Sequence, residues 1–387
     1  MVLYNKNIPN TFGMRVKAAA YAEWGNEDAL RELLKDSSLP RPFLFVGAGS
    51  NLLFRGDFPG TVLHSAMKYI RILSDADSDV SASTASCETE HSLSGGAGSD
   101  LLIEVGSGVV FDDFCEWAAD RNLWGIENLS HIPGEVGASA VQNVGAYGVE
   151  AKDVIVRVNC IELATGKSVS FDNSECGYGY RASNFKTLWK GRYAVTSVVF
   201  RLSSVPKPKL DYGHLRSAVE TELKGNSSAD SRDVSSAASP ASGDALTPSL
   251  IRRVVTGIRR QKLPEPSELG SAGSFFKNPV IPQAQFNRIL ADFRELNGPE
   301  ATVPHYLVKQ PDGAAPMVKV PAAWMIEQCG WKGRQVGNVA CYAKQPLVIV
   351  NLTGQASPDE VIALENEVIS SVRTRFGVEL HPEVEHI

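Results

Sequence analysis

Residues 46–54 read V-G-A-G-S-N-L-L-F, directly after the apolar run P-F-L-F-V (42–46). The opening is that of a dinucleotide fingerprint, but Leu52 stands where the third glycine belongs. R-G-D-F-P-G then breaks the chain where a phosphate-binding helix would have to start. The doubly wound dinucleotide fold therefore fails on its own structural condition. What remains is a buried strand running into a glycine turn that carries Gly47, Gly49, Ser50 and Asn51. Such a turn either offers backbone N–H groups to a phosphate or is an ordinary tight turn.

A second small-residue stretch is H-I-P-G-E-V-G-A-S-A-V-Q-N-V-G-A-Y-G-V-E (131–150). Gly134, Gly137, Gly145 and Gly148 alternate there with Ala138, Ala140 and Ala146. Residues of that size let the backbone approach a flat or polyanionic ligand closely, although tight element packing selects them too. Gln142 and Asn143 add donors and acceptors suited to the edge of a heterocycle. Two such loops in one chain point to a large nucleotide cofactor.

The rest of the pattern mixes strands and helices without a βαβ rhythm, which favours an α+β fold. L-L-I-E-V (101–105) reads as a strand. Phe111, Phe114, Cys115, Trp117 and Ala118 fall at helical spacing behind acids in the first turn. V-I-V-R-V-N-C-I-E-L, T-G-K and S-V-S-F form a hairpin pattern, and Y-A-V-T-S-V-V-F-R-L is a further strand. Ser357 opens a helix that buries Val361, Leu364, Val368 and Val372 and stops at Gly377. Two stretches, about 74–99 and 225–243, are rich in Ser, Asp, Ala and Gly and read as exposed insertions.

At 387 residues, two or three domains are expected. A net charge of -6 leaves no global basic field for nucleic acid. The six cysteines form no C-x-x-C, which suits a reducing compartment better than a disulfide framework or zinc ribbon. No uninterrupted apolar run is long enough to cross a bilayer, so a cytoplasmic protein without membrane contact is expected. His381, Glu383, Glu385 and His386 lack a recognised ligand spacing, so no metal site is expected there.

Taken in order, V-G-A-G-S-N-L-L-F, I-P-G-E-V-G-A-S-A-V-Q-N-V-G-A-Y-G, G-Y-G-Y-R-A-S-N-F-K (177–186), L-D-Y-G-H-L (210–215), R-R-Q-K-L-P-E-P (259–266), A-G-S-F-F-K-N-P (272–279), W-M-I-E-Q-C-G-W-K-G (324–333) and H-P-E-V (381–384) closely resemble the UDP-N-acetylenolpyruvoylglucosamine reductase family. The likeness covers nearly the whole chain outside the two insertions. It also resembles the family's larger subclass, which carries an extra substrate-closing loop. The resemblance implies an FAD-binding fold of the vanillyl-alcohol-oxidase type plus a C-terminal α+β substrate-binding domain. The implied boundaries are 1–67 and 68–206 for two FAD-binding subdomains, 207–377 for the substrate domain, and 378–387 for a strand returning toward the flavin region.

The same resemblance implies non-covalent FAD held by Gly47, Gly49, Ser50, Asn51, Pro133, Gly134, Gly137, Ala138, Ser139, Gln142, Asn143, Gly145, Ala146 and Tyr147. NADPH is the implied reductant and a nucleotide sugar the implied substrate, with a monomer as the working form. Ala138 and Ala140 stand where other members often have Ser and Pro, so a hydroxyl contact to flavin is expected to move to Ser139. His131 stands where an apolar residue is frequent.

Reduction of an enol ether bearing a carboxylate leaves negative charge on the carbon beside that carboxylate. Positive charge or donors must meet the carboxylate, and a proton must reach the carbon. Arg181 is the natural carboxylate partner, because a guanidinium grips both oxygens. Glu383 resembles the family's catalytic glutamate and is expected to carry or share a proton when substrate binds. Ser274 is the implied proton donor, since a hydroxyl is a strong enough acid toward a carbanion. The implied substrate contacts are Tyr180, Tyr212, Lys262, Lys277, Asn278, Tyr306 and Gln328.

Overall fold

A computed structural model describes residues 1–74, 100–229, 246–308, 311 and 313–387. The two segments read as insertions lie almost wholly outside the described residues. The chain divides into two compact units. The first gathers 1–6, 18–48 and 59–259; the second gathers 7–17, 49–58 and 260–387. Helix content and largely antiparallel sheets make the fold α+β.

In the first unit, a four-stranded sheet runs in the order Val2–Asn7, Lys17–Trp24, Phe58–Ser65, Phe43–Phe45, the last two parallel. Helix α1 (Glu27–Lys35) starts where the Asn26 side chain accepts from the Ala29 N–H at 2.8 Å, which satisfies one of the free donors of the first turn. A five-stranded antiparallel sheet has the order Ser168–Asp172, Ile155–Glu162, Tyr193–Ser203, Asp100–Gly106, Ile70–Ile72. Its first two strands are the hairpin expected around T-G-K.

Helices α2 (Phe111–Asp120) and α3 (Val136–Gln142) share one core with this sheet. Phe114 of α2 meets Phe200 of the central strand with ring centroids 4.9 Å apart, and both rings are fully buried. Burial of each such ring is worth about 1.5–3 kcal/mol. The α3 stretch reads in sequence as a glycine-rich loop, because so short a run of Gly, Ala and Ser shows no apolar period. It is helical because tertiary contacts hold it: Val136 N–H donates to Val109 O and Gly137 N–H to Ser107 O, each at 2.9 Å.

Helices α4 (Leu215–Ala229) and α5 (Pro248–Lys262) follow. The backbone of α4 extends into the stretch read as the second insertion. Leu215, Val219, Ile251 and Val255 pack around Trp124 and Leu210. Residues 207–229 and 246–259, expected with the substrate domain, thus pack with the first unit, through an apolar seam that sequence spacing alone does not reveal.

The second unit holds a four-stranded sheet in the order Gly270–Ser274, Val348–Asn351, Val339–Cys341, Gln335–Val336. A three-stranded sheet joins Val280–Pro282, Met317–Lys319 and Tyr306–Val308. Helices α6 (Gln283–Asn297), α7 (Ala322–Gln328) and α8 (Pro358–Phe376) complete it. Ser357 and Glu360 form a capping box on α8, and Gly377 ends it at φ 64°, a left-handed position where glycine carries no Cβ penalty. The strand Glu385–His386 pairs in parallel with Leu52–Leu53. Among the described residues no helix is long and apolar enough to cross a membrane.

Candidate active site

In the first unit, α3 presents two faces. Ser139, Ala140 and Asn143 are buried, whereas Ala138 and Gln142, four residues apart, are partly exposed together with Gly145 and Ala146. That outer face carries nothing larger than a methyl group apart from the Gln142 amide, whose oxygen accepts from Lys186 Nζ at 2.6 Å. A planar ring system fits such a surface, because no side chain holds it away from the backbone.

The buried face is spent on structure. The Ser139 hydroxyl donates to Val136 O at 2.7 Å inside its own helix and is 2% exposed. The hydroxyl offered by sequence as a flavin contact therefore faces the core. The Asn143 amide nitrogen donates to Glu150 Oε2 and Gly179 O, and its oxygen accepts from the Lys152 N–H. Asn143 thus ties the end of α3 to two neighbouring turns. Gly137 is small for packing: a Cβ there would stand 2.8 Å from Ser107 Cβ.

Strands Gly145–Ala146 and Val149–Glu150 form a hairpin whose central residues, Tyr147 and Gly148, have φ 48° and 80°. Positive φ at both is the twist-matched geometry for a two-residue hairpin, and Tyr147 adopts it without being glycine. Asn128, fully buried, donates to Tyr147 O and Lys209 O and so fixes this turn. Burial pushes the Tyr147 phenol above its ordinary range. Tyr212 packs edge-on against Tyr147, with centroids 6.1 Å apart.

Arg181 sits at the third position of the tight turn Gly179–Ala182, where N–H groups and carbonyls are exchanged at 3.0 and 3.1 Å. Its φ of 53° is left-handed, a strained conformation for a long side chain. The guanidinium Nη2 donates to Gly145 O at 2.5 Å and lies 5.4 Å from the Tyr180 ring centre (carbon Cζ to centroid). The structure therefore brings Arg181 beside the 145–150 hairpin, with the Tyr180 ring next to its guanidinium.

Gly47 adds a close approach: a Cβ there would stand 2.9 Å from Glu135 Oε2. The other Glu135 oxygen lies 2.8 Å from His64 Nε2. Neither residue was among the expected site residues, although a carboxylate inside a glycine loop offered to a flat or polyanionic ligand was a visible signal. His131 has φ 61°; Asp112 Oδ1 accepts from its N–H at 2.5 Å, and Arg259 Nε donates to its carbonyl at 3.0 Å. The Arg252 guanidinium, hydrogen-bonded to Asp112, braces that carboxylate.

In the second unit, Ser274 ends its strand after Gly273, which has φ 69°. The chain continues through Phe275–Lys277 against the 381–383 segment. Glu383 N–H donates to Phe275 O at 2.8 Å, Lys277 N–H donates to His381 O at 2.9 Å, and Phe276 bridges Pro382. Ser274 and Glu383 are therefore carried on adjacent, hydrogen-bonded segments. On its other edge the 383–387 segment pairs with 51–55: Glu385 N–H donates to Asn51 O and Arg55 N–H to Ile387 O. The Asn51 side chain donates to Glu383 O at 3.2 Å.

Gly49, at φ 65°, passes so near residues 9–10 that a Cβ would stand 2.4 Å from Pro9 O. Asn278 Oδ1 accepts from the Ala322 N–H at 2.9 Å and so caps α7. Lys262 is exposed, Gln328 closes α7, and Tyr306 lies on an edge strand with Lys319 Nζ 5.7 Å from its ring centre.

A family described as "FAD binding domain" matches residues 18–172, the stretch that contains Gly47, α3 and the 145–150 hairpin. Fold and site thus define an FAD-dependent oxidoreductase. A second family, "UDP-N-acetylenolpyruvoylglucosamine reductase, C-terminal domain", matches residues 265–387, from Glu265 through Ser274 and Glu383. UDP-N-acetylenolpyruvoylglucosamine reductase of Bacteroides fragilis is 40% identical over 378 residues, covering 98% of this chain and 97% of its own. That of Neisseria meningitidis serogroup C is 40% identical over 375 residues, with 97% and 93% covered. The chain belongs to the UDP-N-acetylenolpyruvoylglucosamine reductase family. In fold it is similar to the solved reductase from Thermus caldophilus, with TM-score 0.57, 21% identity, and 100% and 98% of the two chains covered.

Proposed function

We propose that this protein reduces UDP-N-acetylglucosamine enolpyruvate to UDP-N-acetylmuramate, a peptidoglycan precursor, with FAD as cofactor and NADPH as reductant. The observation that carries this reading is the pairing of 381–383 with 275–277, which sets the Glu383 segment beside the one that follows Ser274. The small-residue face of Ala138, Gly145 and Ala146 would hold the flavin, together with the Gln142 amide and the turns around Gly47, Gly49 and Ser50.

FAD, when bound, supplies hydride from N5 to the terminal vinyl carbon of the substrate. Arg181 binds the substrate carboxylate through its guanidinium and stabilises the charge that develops there. Gly145 O holds one guanidinium nitrogen and so orients the group before substrate arrives. Glu383, carrying or sharing a proton, donates to the same developing anion. Ser274 gives its hydroxyl proton to the carbon beside the carboxylate and recovers one from solvent. Lys262 and Lys277 would meet the diphosphate. Tyr180, Tyr212, Tyr306, Asn278 and Gln328 would line the sugar and uridine side. A cytoplasmic site of action goes with this reading, because UDP-linked sugars and NADPH are cytoplasmic metabolites.

The experiment is a two-step anaerobic reaction. NADPH should bleach the flavin absorbance of the purified yellow protein, and the enolpyruvyl nucleotide sugar should then restore it. A protein that takes up no FAD, or whose reduced flavin ignores this substrate, would overturn the proposal.

A further inference from the structure

Glu135 raises a problem for any anion at its loop. It lies between Gly134 and α3, is 7% exposed, and sets one carboxylate oxygen 2.9 Å from where a Cβ of Gly47 would stand. A dinucleotide carries two negative charges on its diphosphate, and like charges at a desolvated site repel strongly. The answer to this conflict lies on the strand Phe58–Ser65. His64 Nε2 stands 2.8 Å from Glu135 Oε1, while Nδ1 faces Glu23 Oε1 at 3.5 Å, a charge contact rather than a hydrogen bond. Both ring nitrogens thus face carboxylates. A neutral imidazole has one donor nitrogen; only the imidazolium has two, and only it suits both neighbours.

The groups around this ring are few. Glu23 and Tyr21 come from the strand Lys17–Trp24, and Tyr21 Oη donates to Glu23 at 3.2 Å. Lys6, from the strand Val2–Asn7, lies with Nζ 3.7 Å from the Tyr21 ring centre. Glu135 comes from the loop before α3. The hydrogen bond to Glu135 raises the His64 pKa, against the opposing effect of burial. Burial pulls the Glu23 carboxyl upward, but the Tyr21 hydroxyl and the facing His64 ring outweigh it and leave it lowered.

We propose that His64 and Glu135 are a proton-linked counter-ion pair of the cofactor site. With His64 protonated, the pair is neutral and the FAD diphosphate is accepted; with His64 neutral, the bare Glu135 carboxylate repels it. The proposal rests on the flavin site proposed above. It makes FAD affinity fall as pH rises through the His64 titration, and it makes FAD binding favour the protonated ring.

The test is an FAD titration of the full-length protein freed of flavin, followed by quenching of flavin fluorescence at about pH 6 and about pH 9. The native Kd should weaken about tenfold between the two, the scale expected for one added like charge at a partly screened site. His64→Gln should bind weakly at both pH values, because Glu135 is never neutralised. Glu135→Gln should bind tightly at both. The double variant His64→Gln/Glu135→Gln should also bind tightly, which separates lost charge balance from lost folding. Riboflavin, which has no diphosphate, should show no such pH dependence. A native Kd that ignores pH, or a double variant as weak as His64→Gln alone, would overturn the inference and leave the flavin site standing. Absence of FAD binding by the native chain at both pH values would instead overturn the flavin site itself.

Discussion

The side-chain amide of Asn51 donates to the backbone carbonyl of Glu383 across 332 positions of sequence, at 3.2 Å. Asn51 was expected to touch the cofactor, yet here it positions the segment that carries the proposed acid. Asn51→Ala should cost about 1 kcal/mol of stability, the net worth of one such bond. It should slow flavin reoxidation by substrate more than flavin reduction by NADPH. Stopped-flow absorbance of the two half-reactions, beside a denaturant melt, checks both expectations.

Ser274→Ala removes the proposed proton donor and little packing, because the residue is only partly buried. Reduction by NADPH should keep its native rate. Reoxidation by the enolpyruvyl substrate should slow about a hundredfold or more, the usual scale for losing a positioned general acid. Equal rates in both half-reactions would remove Ser274 from the mechanism.

Gly145→Ala tests the seat of Arg181. The new Cβ would stand 2.9 Å from Arg181 Nη1, closer than real Cβ contacts run, and 3.0 Å from Val149 O, at their tight limit. The guanidinium is the flexible neighbour and should be the one displaced. Steady-state kinetics should show kcat/KM for the nucleotide sugar falling about tenfold or more, the order expected when a carboxylate clamp is misplaced.

Glu104 gives a pH-dependent prediction. It is 8% exposed and accepts hydrogen bonds from Ser197 Oγ at 2.6 Å, Tyr69 Oη at 3.2 Å, Asn159 Nδ2 at 3.3 Å, and Arg71. Burial alone would raise its pKa, but these donors outweigh burial and hold the carboxyl below the ordinary glutamate range. A carboxyl depressed in the folded state stabilises the fold above its unfolded pKa, and that contribution is lost as pH falls through the folded value. Glu104→Gln should therefore destabilise by about 1.5 kcal/mol near neutrality, the scale for losing a charged hydrogen bond whose cationic partner, Arg71, stays half exposed. The gap from native should shrink as the medium is acidified below the glutamate range. Urea melts at neutral and acidic pH check the sign.

Local signals carried much of the fold. The capping box at Ser357 and the left-handed Gly377 bound α8 as its apolar spacing implies, and the T-G-K turn set the 155–172 hairpin. These features depend on neighbours a few residues apart, so the sequence displays them directly. The α3 helix was hidden because seven residues, four of them Gly, Ala or Ser, carry no period and are held by Val109 and Ser107 carbonyls. The inward turn of Ser139 was hidden for the same reason: without a helix, its face could not be assigned. The candidate site was legible as motifs but not as contacts. Nothing in H-P-E-V says that the Glu383 N–H would bond Phe275 O or that its carbonyl would take the Asn51 amide, and nothing near His64 announces Glu135, 71 positions away.

The strand Glu385–His386 has its parallel partner at Leu52–Leu53, far outside the stretch 265–387 matched as the C-terminal domain. Cut out as a fragment from Arg260 onward, that domain would keep its helices but lose the backbone its final strand binds. An unmated strand edge invites pairing with a second chain. Such a fragment should therefore precipitate or self-associate, and adding back a peptide spanning residues 49–58 should restore solubility.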